Sequence, residues 1–328
     1  MQPGMCPADE ALFYSRGDSS DPRMGEIVRR LEQAPAGSLS GGADIIFLGV
    51  PEDRGIARNY GRKGASEGPD AIRSRFYKLT PGFNPDIMKL DIADAGNLET
   101  KGLSLENVHQ ALACAVERII TEGALPVVLG GGHDLSFPGI AGLAGGLKLA
   151  QGELGLVNID SHLDVRSPEG GINSGTAFYR CLEEMPQDAL HGRNFVEYGV
   201  QEPYNSPFAY NWVRDRGATV MTFRDVAGRP MERFLQALRI AGEGTKAVAV
   251  SVDIDAARQN EAPGASASNP SGLSALDLEK IAYLAGRTER VRYVDIMEMS
   301  PPLDEDKRTA ALCASVVFWF LKGFCERR

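Results

Sequence analysis

The chain lacks several features that would settle its role at once. Its five cysteines, Cys6, Cys114, Cys181, Cys313 and Cys325, are odd in number, scattered and never spaced as CxxC. That excludes a disulfide framework and a thiolate zinc knuckle, and it fits a reducing compartment. There is no basic surplus: 35 Lys and Arg stand against 44 Asp and Glu, a net charge of −9. Phosphate neutralisation needs the opposite balance, so nucleic acid is not an expected partner. An anionic small molecule stays compatible, because a few local arginines can hold one inside an acidic protein. The opening MQPGMCPADE has no basic region followed by an apolar one, so no signal peptide is expected. The longest apolar stretch, between Arg308 and Lys322, has thirteen residues with Thr and Ser among them, too short to span a bilayer. It reads as a buried C-terminal helix, in a cytoplasmic protein without membrane contact. Histidine is also scarce, four in 328 residues, which gives weight to where each one stands.

What is present is a rhythm. Residues 1–42 hold few periodic apolar positions and form an irregular lead-in, with one short helix near 24–33. From residue 43 eight apolar, β-branched-rich runs follow: ADIIFLGV, IMKLDIADAG, LPVVLGGG, LGLVNID, FVEYGV, ATVMTFRD, KAVAVSVDID and VRYVDIMEMS. Most are nearly continuous in hydrophobicity, as strands covered on both faces are. Helical segments alternate with them at 69–79, 104–122, 134–148, 176–185, 206–216, 229–242, 275–287 and 308–324. That alternation implies an α/β fold, a parallel sheet between helices. No linker, repeat or low-complexity tract interrupts it, so residues 43–328 read as one domain.

Sites in such sheets gather at the carboxyl ends of strands, and the unusual polar residues stand there. LPVVLGGG runs into His133, LGLVNI into Asp160, His162 and Asp164, AVAVSV into Asp253 and Asp255, and VRYVDIM into Glu298. In extended chain, residues two apart share a face, so each Asp-x-His-x-Asp or Asp-x-Asp set converges. Alone, an Asp-x-Asp is more often a turn or cap than a ligand pair, and a buried histidine is more often a satisfied core residue. GGGHD alone could cradle a phosphate, but it lacks the Lys-Ser/Thr of a P-loop and the third spaced glycine of a dinucleotide site. The joint occurrence decides. Four carboxylates in one pocket demand neutralisation, which two divalent cations supply on paper. An oxygen-rich set with a minority of imidazole suits Mn²⁺, and two metals ~3.5–4 Å apart can share a hydroxide as nucleophile.

GGGHD, NIDSHLDVR, SVDID, APGASASNPSGLS and EMSPPLD resemble, in order, the signature blocks of the ureohydrolase family (arginase, agmatinase, formimidoylglutamase). The resemblance covers about residues 43–324. It implies a three-layer α/β/α sandwich with a central eight-stranded parallel sheet, and two Mn²⁺ per subunit. One ion would be held by His133 and Asp164 and the other by His162 and Asp255, with Asp160 and Asp253 bridging. Glu298 would hold the planar C–N group of the substrate, and Asp164 or a water would give the leaving amine its proton. DSHLD stands where the family usually has DAHxD, and Ser161 is expected to point away from the metals.

Three features bear on the substrate. Arg166, two residues past Asp164, stands where the arginase pattern has Asn, and a planar permanent cation suits bidentate carboxylate binding. Asn173, Ser174 and Gly175 lie in INSGTAF, where arginase-like and agmatinase-like chains place a proton-shuttling His at the Ser174 position. Gln201 lies in GVQEPYNS, which resembles the formimidoylglutamase block. Arg58, Asn59, Arg62 and Lys63 are expected near the pocket mouth, and neither His109 nor His191 is expected to act as a shuttle. The resemblance thus implies a hydrolase of linear amidines acting on an anionic small molecule, foremost N-formimidoyl-L-glutamate, giving L-glutamate and formamide in histidine degradation. The alternative is a guanidino acid, releasing urea. A single-zinc deacetylase and a non-catalytic scaffold are the readings from other classes. A homo-oligomer is the expected assembly.

Overall fold

The computed structural model describes residues 4–31, 38–83 and 85–327. Its centre is one sheet of ten strands: β1 (Met5–Cys6), β2 (Arg29–Arg30), β3 (Ile45–Gly49), β4 (Ile92–Leu98), β5 (Leu125–Leu129), β6 (Leu154–Ile159), β7 (Leu190–Val200), β8 (Thr219–Thr222), β9 (Ala247–Asp253) and β10 (Val291–Met297). The spatial order is β1-β4-β3-β5-β10-β9-β6-β7-β8, with β2 also on β4. The eight expected strands are β3 to β10, paired in parallel throughout. The sheet exceeds the expected eight by two strands of two residues each from the lead-in. One of them, β1, pairs antiparallel with β4. Two residues are too few to show a hydrophobic period, so sequence patterning gives no sign of them. Only Met24–Ile27 of the short helix expected near 24–33 is helical, because Arg29–Arg30 extend to pair with β4; residues 32 and 33 lie outside the described residues.

Why the strands read as continuously apolar is visible in how their side chains divide. Ile45 and Phe47 of β3 belong to one core, and Ile46 and Leu48 to the other. Each face is covered by helices, so both sets must be apolar. Gly68–Phe76, Pro230–Gly242, Ala275–Arg287 and Arg308–Phe324 supply one core, and Leu105–Thr121, Ser136–Gly146 and Ala177–Glu183 the other. The apolar C-terminal run is the helix Arg308–Phe324, with Leu312, Val316, Val317 and Phe320 buried. No described helix is long and apolar enough to cross a membrane.

This layering creates the site. The helices after β5 and β6 lie on one face, while those after β9 and β10 lie on the other. Because β5, β10, β9 and β6 are consecutive in the sheet, connections diverge at both β5/β10 and β9/β6. Diverging connections open a crevice above the carboxyl ends of the strands.

The β4 edge is bolted by a buried ion pair. Arg73, 1% exposed, donates from Nε and Nη2 to Asp94 at 2.7 and 2.9 Å, from Nη1 to Asn97 at 2.6 Å and from Nη2 to the Gly96 carbonyl at 2.8 Å. Tyr77 donates its hydroxyl to the same Asp94. Burial works against charge on Arg73, but Asp94 outweighs it and raises the guanidinium above its ordinary value. Removing one partner of such a pair strands the other, at a cost of roughly 3–5 kcal/mol. Arg73→Leu should therefore lower unfolding stability in urea by that order, and Arg73→Leu with Asp94→Leu should recover part of the loss. A single-variant loss under ~1 kcal/mol would show that the edge is held by packing alone.

Candidate metal centre

Each donor is positioned by the end of a strand. β5 leads through Gly130, Gly131 and Gly132 to His133. A Cβ on Gly131 would lie 1.8 Å from the Glu52 carbonyl oxygen, so only glycine lets this turn pack against the loop after β3. β6 is followed by Asp160, β9 ends at Asp253, and β10 is followed by Glu298. Asp164 and Glu298 both adopt left-handed backbone, with φ of 47° and 67°. Such conformations in residues other than glycine are strained and concentrate at functional sites.

Two donor groups result. His133, Asp160, Asp164 and Asp253 offer ligand atoms within 4.8 Å of one another, and so do Asp160, His162 and Asp255. Asp160 belongs to both: Oδ2 lies 3.1 Å from His133 Nδ1, and Oδ1 lies 3.4 Å from His162 Nδ1. Asp253 joins only the first group, with Oδ2 3.2 Å from His133 Nδ1 while Oδ1 accepts the Asp255 amide hydrogen at 2.8 Å. Ser161 points away as expected, donating to the Asp255 carbonyl at 3.0 Å.

The donors fit a cation better than they fit one another. Oxygens of Asp160, Asp164 and Asp253 all lie 3.1–3.2 Å from His133 Nδ1, yet that nitrogen makes no hydrogen bond among the described residues, and neither does Asp255 Oδ1. The tautomer is set from behind. Ser251 gives its one hydrogen to Asp295 at 2.6 Å, so its oxygen accepts from His133 Nε2 at 3.0 Å. The proton then sits on Nε2 and the Nδ1 lone pair faces the carboxylates, the arrangement of a metal ligand. Electrostatics agree. Burial disfavours charge on both imidazoles, but the facing aspartates push His133 and His162 well above the ordinary histidine range. Burial first, then neighbouring carboxylates, raises Asp253, while Asp164 and Asp255 are raised chiefly by burial. Asp160 goes the other way: burial opposes its charge, but His133 and His162 hold its carboxyl below the ordinary range. A divalent cation could take the place of the protons bound at the other donors.

The support beneath this layer is a row of buried polar residues that motif spacing does not reveal. Glu197, Asn158, Ser251 and Asp295 are register partners across β7, β6, β9 and β10, all at 0% exposure. Asn158 donates to Glu197 at 2.8 Å, and Tyr293 donates to Asp295 at 3.0 Å. The available signal was one polar residue inside each apolar run, two positions before a donor in LGLVNID and AVAVSVD.

Above the donors lies a cavity of ≈ 660 Å³. Asp164, Arg166, Ser174 and Glu298 line it, and among the described residues Arg166 is the only Arg or Lys to do so. Arg166 is exposed. Three aromatic residues that sequence reading passed over, Tyr60, Tyr204 and Phe208, also line it, and the Tyr204 ring meets His162 edge-on at 6.3 Å. Glu298 accepts the His133 amide hydrogen at 2.9 Å. Burial, then the charge of Asp253, raises its carboxyl well above the ordinary glutamate range.

Other expected contacts fall elsewhere. Gln201 does not line the cavity: its amide donates to Ser161 Oγ and the Ser271 carbonyl, bracing the loop under the donors. Asn173 caps its own turn, donating to the Gly171 carbonyl and accepting from the Gly175 amide. Arg58 bonds Glu106 and the Ile172 carbonyl, and Arg62 the carbonyls of Ala265 and Ser266; of the four residues expected at the mouth, Arg58, Asn59, Arg62 and Lys63, only Asn59 lines the cavity. His109 is a buried bracing group, 2.7 Å from Asp134.

Fold and donors together define a class: an α/β protein with two adjoining donor groups that could hold a metal ion, at the carboxyl ends of its central parallel strands. Residues 43–322 match the model of the Arginase family, and the chain belongs to that family. It is 31% identical over 291 residues, covering 88% of this chain and 87% of the relative, to the formimidoylglutamase of Streptococcus pyogenes serotype M5 (strain Manfredo). Among solved structures it resembles Trypanosoma cruzi formiminoglutamase with Mn²⁺, at TM-score 0.84 and 30% identity, covering 94% of this chain and all of that one. The formimidoylglutamase of Bacillus subtilis shares the fold, at TM-score 0.84 and 22% identity over 96% of this chain and 95% of that one.

The shared position of Asp160 gives a test by metal analysis after dialysis. Asp160→Ala should empty both groups, whereas Asp255→Ala should empty one. Equal metal retention by the two variants would show that Asp160 is not shared. Ser251→Ala should weaken metal binding about 10–100-fold by releasing the imidazole tautomer.

Proposed function

We propose that the protein hydrolyses N-formimidoyl-L-glutamate to L-glutamate and formamide, with two Mn²⁺ held by His133, Asp160, His162, Asp164, Asp253 and Asp255, as a step in histidine degradation. Residues 43–328 form the catalytic domain. The observation that carries this reading is the cavity's polarity: acidic donors at its base, and one unpaired arginine, Arg166, on its wall. When bound, the metal pair supplies a nucleophilic oxygen at neutral pH and Lewis acidity toward the carbon under attack.

The chain's own groups do the rest. Glu298 has one oxygen tied to the His133 amide, which leaves the other to pair with a cationic, planar C–N group. That contact orients the carbon toward the donors and strengthens the carboxylate–amidine pair inside a buried site. Arg166 makes no ion pair or hydrogen bond through its guanidinium among the described residues, so it is free to take a substrate carboxylate. Asp164 lines the cavity beside the donors and is placed to pass a proton to the departing amine. An ammonium-tailed substrate such as agmatine would set its cation against Arg166. Guanidino acids such as guanidinobutyrate carry a carboxylate and are the competing substrates.

Turnover by the Mn-loaded protein should be fastest on formimidoylglutamate in a panel with guanidinobutyrate, arginine and agmatine; a preference for guanidinobutyrate would move the assignment to the urea-releasing reaction. Arg166→Asn should lower kcat/KM for formimidoylglutamate by roughly 30–150-fold, the loss of a charged hydrogen bond of ~2–3 kcal/mol, with metal content unchanged. Glu298→Gln should keep the metals and lose rate by a similar order; loss of a metal instead would make Glu298 a ligand.

A further inference from the structure

One corner of the cavity is built from three chain segments around a glycine. Arg166, Ser174 and Asn59 line the cavity. Asn59 lies just after the short helix Arg54–Arg58, and its Nδ2 donates to Ser174 Oγ at 3.0 Å across 115 residues. Gly175 packs between them: a Cβ there would lie 2.7 Å from Arg166 Cδ, 3.0 Å from Arg166 Nε and 3.2 Å from Asn59 Nδ2. The Gly175 carbonyl meanwhile accepts the Arg166 amide hydrogen at 2.8 Å, fixing the two segments side by side. The missing side chain is therefore what lets a guanidinium, a hydroxyl and an amide share one corner.

The hydrogen bond gives that corner a sense. A serine hydroxyl that accepts from an amide N–H has its own hydrogen left to give. Among the described residues no acceptor takes the Ser174 hydrogen, and the side chain borders the cavity. Hydrogens then outnumber acceptors at the corner: Arg166, Ser174 and the second N–H of Asn59 donate, against the single carbonyl oxygen of the Asn59 amide. A group rich in lone pairs and negative charge suits it, and a cationic or donor-rich group does not. Ser174 has no titration near neutral pH, so at this place it serves binding rather than proton transfer.

We propose that Asn59 is a specificity-determining residue: it holds Ser174 as a hydrogen-bond donor and, with Arg166, shapes a seat for a substrate carboxylate. This rests on the reading of the cavity as one for an acidic amidine. Charge alone, from Arg166, attracts any anion; the flanking donors add the geometry that separates a carboxylate from a bulkier or less directional group.

The test uses the full-length Mn-loaded protein. Asn59→Asp has the same shape but draws the Ser174 hydrogen to itself and sets a negative charge beside Arg166. It should raise KM for N-formimidoyl-L-glutamate by about 10–100-fold, with kcat changed by less than about threefold and metal content intact. Asn59→Ala should raise KM by roughly 5–10-fold, but by less than about twofold when Ser174 is already Ala, because the two act through one contact. Independent, multiplying losses, or a KM unchanged in Asn59→Asp, would overturn the proposal. Calorimetric binding of L-glutamate reads the same corner without turnover. A wild-type protein inert on formimidoylglutamate would sink the assigned reaction. If it still bound L-glutamate at least tenfold more tightly than Asn59→Asp does, the carboxylate seat would stand; equal affinity would remove it.

Discussion

Buried negative charge is the constraint around which this molecule is arranged. Asp160, Asp164, Asp253, Asp255 and Glu298 crowd two imidazoles at the middle of the sheet, and all but Asp164 are nearly inaccessible. Carboxylates at such depth cost several kcal/mol each to keep charged without compensation. Two imidazoles, His133 and His162, stand among these carboxylates, and among the described residues Arg166 is the one Arg or Lys that lines the cavity above them. Charge left so concentrated is compensated by cations of higher valence, and the donor set, oxygen-rich with two imidazoles, fits that demand.

Holding like charges together requires a rigid frame, which explains why the donors stand at or within a few residues of the ends of central strands. β5, β10, β9 and β6 are four consecutive parallel strands, hydrogen-bonded in a register that fixes one strand end against the next. One pleat below, Glu197, Asn158, Ser251 and Asp295 form a second polar row. That row aims the first layer, as the Ser251 contact to His133 shows, and burial raises the carboxyls of Glu197 and Asp295 above their ordinary ranges. Asp164 and Glu298, beside this frame, both adopt left-handed backbone, with φ of 47° and 67°.

The sequence made the frame and the donors legible for the same reason. Eight strands buried on both faces must be apolar throughout, so Asp160, Asp253 and Glu298 stand out as polar residues ending apolar runs. What stayed hidden is what depends on distant segments meeting. The two-residue strands β1 and β2 have no pattern of their own. Gln201 and Asn173, read as substrate contacts, turn out to spend their amides on Ser161, Ser271 and neighbouring turn atoms. A side-chain amide in a loop carries no mark of which partner it will find. Arg58 and Arg62 looked like pocket cations for the same reason and are consumed by Glu106 and by main-chain carbonyls.

This asymmetry follows from how the two ends of the cavity are built. The base comes from strand ends, whose relative positions are set by sheet hydrogen bonds and by two tightly packed cores. The wall comes from segments after β3, β6 and β7, held by single side-chain contacts such as Asn59 to Ser174. A change at the base disturbs the metal donors and the core together, so its residues are coupled to folding. A change on the wall can alter one contact while the donors and both cores remain as they are. On the proposed reading, substrate choice would therefore be set on the wall, by side chains such as Arg166 whose hydrogens and charges have no partner among the described residues.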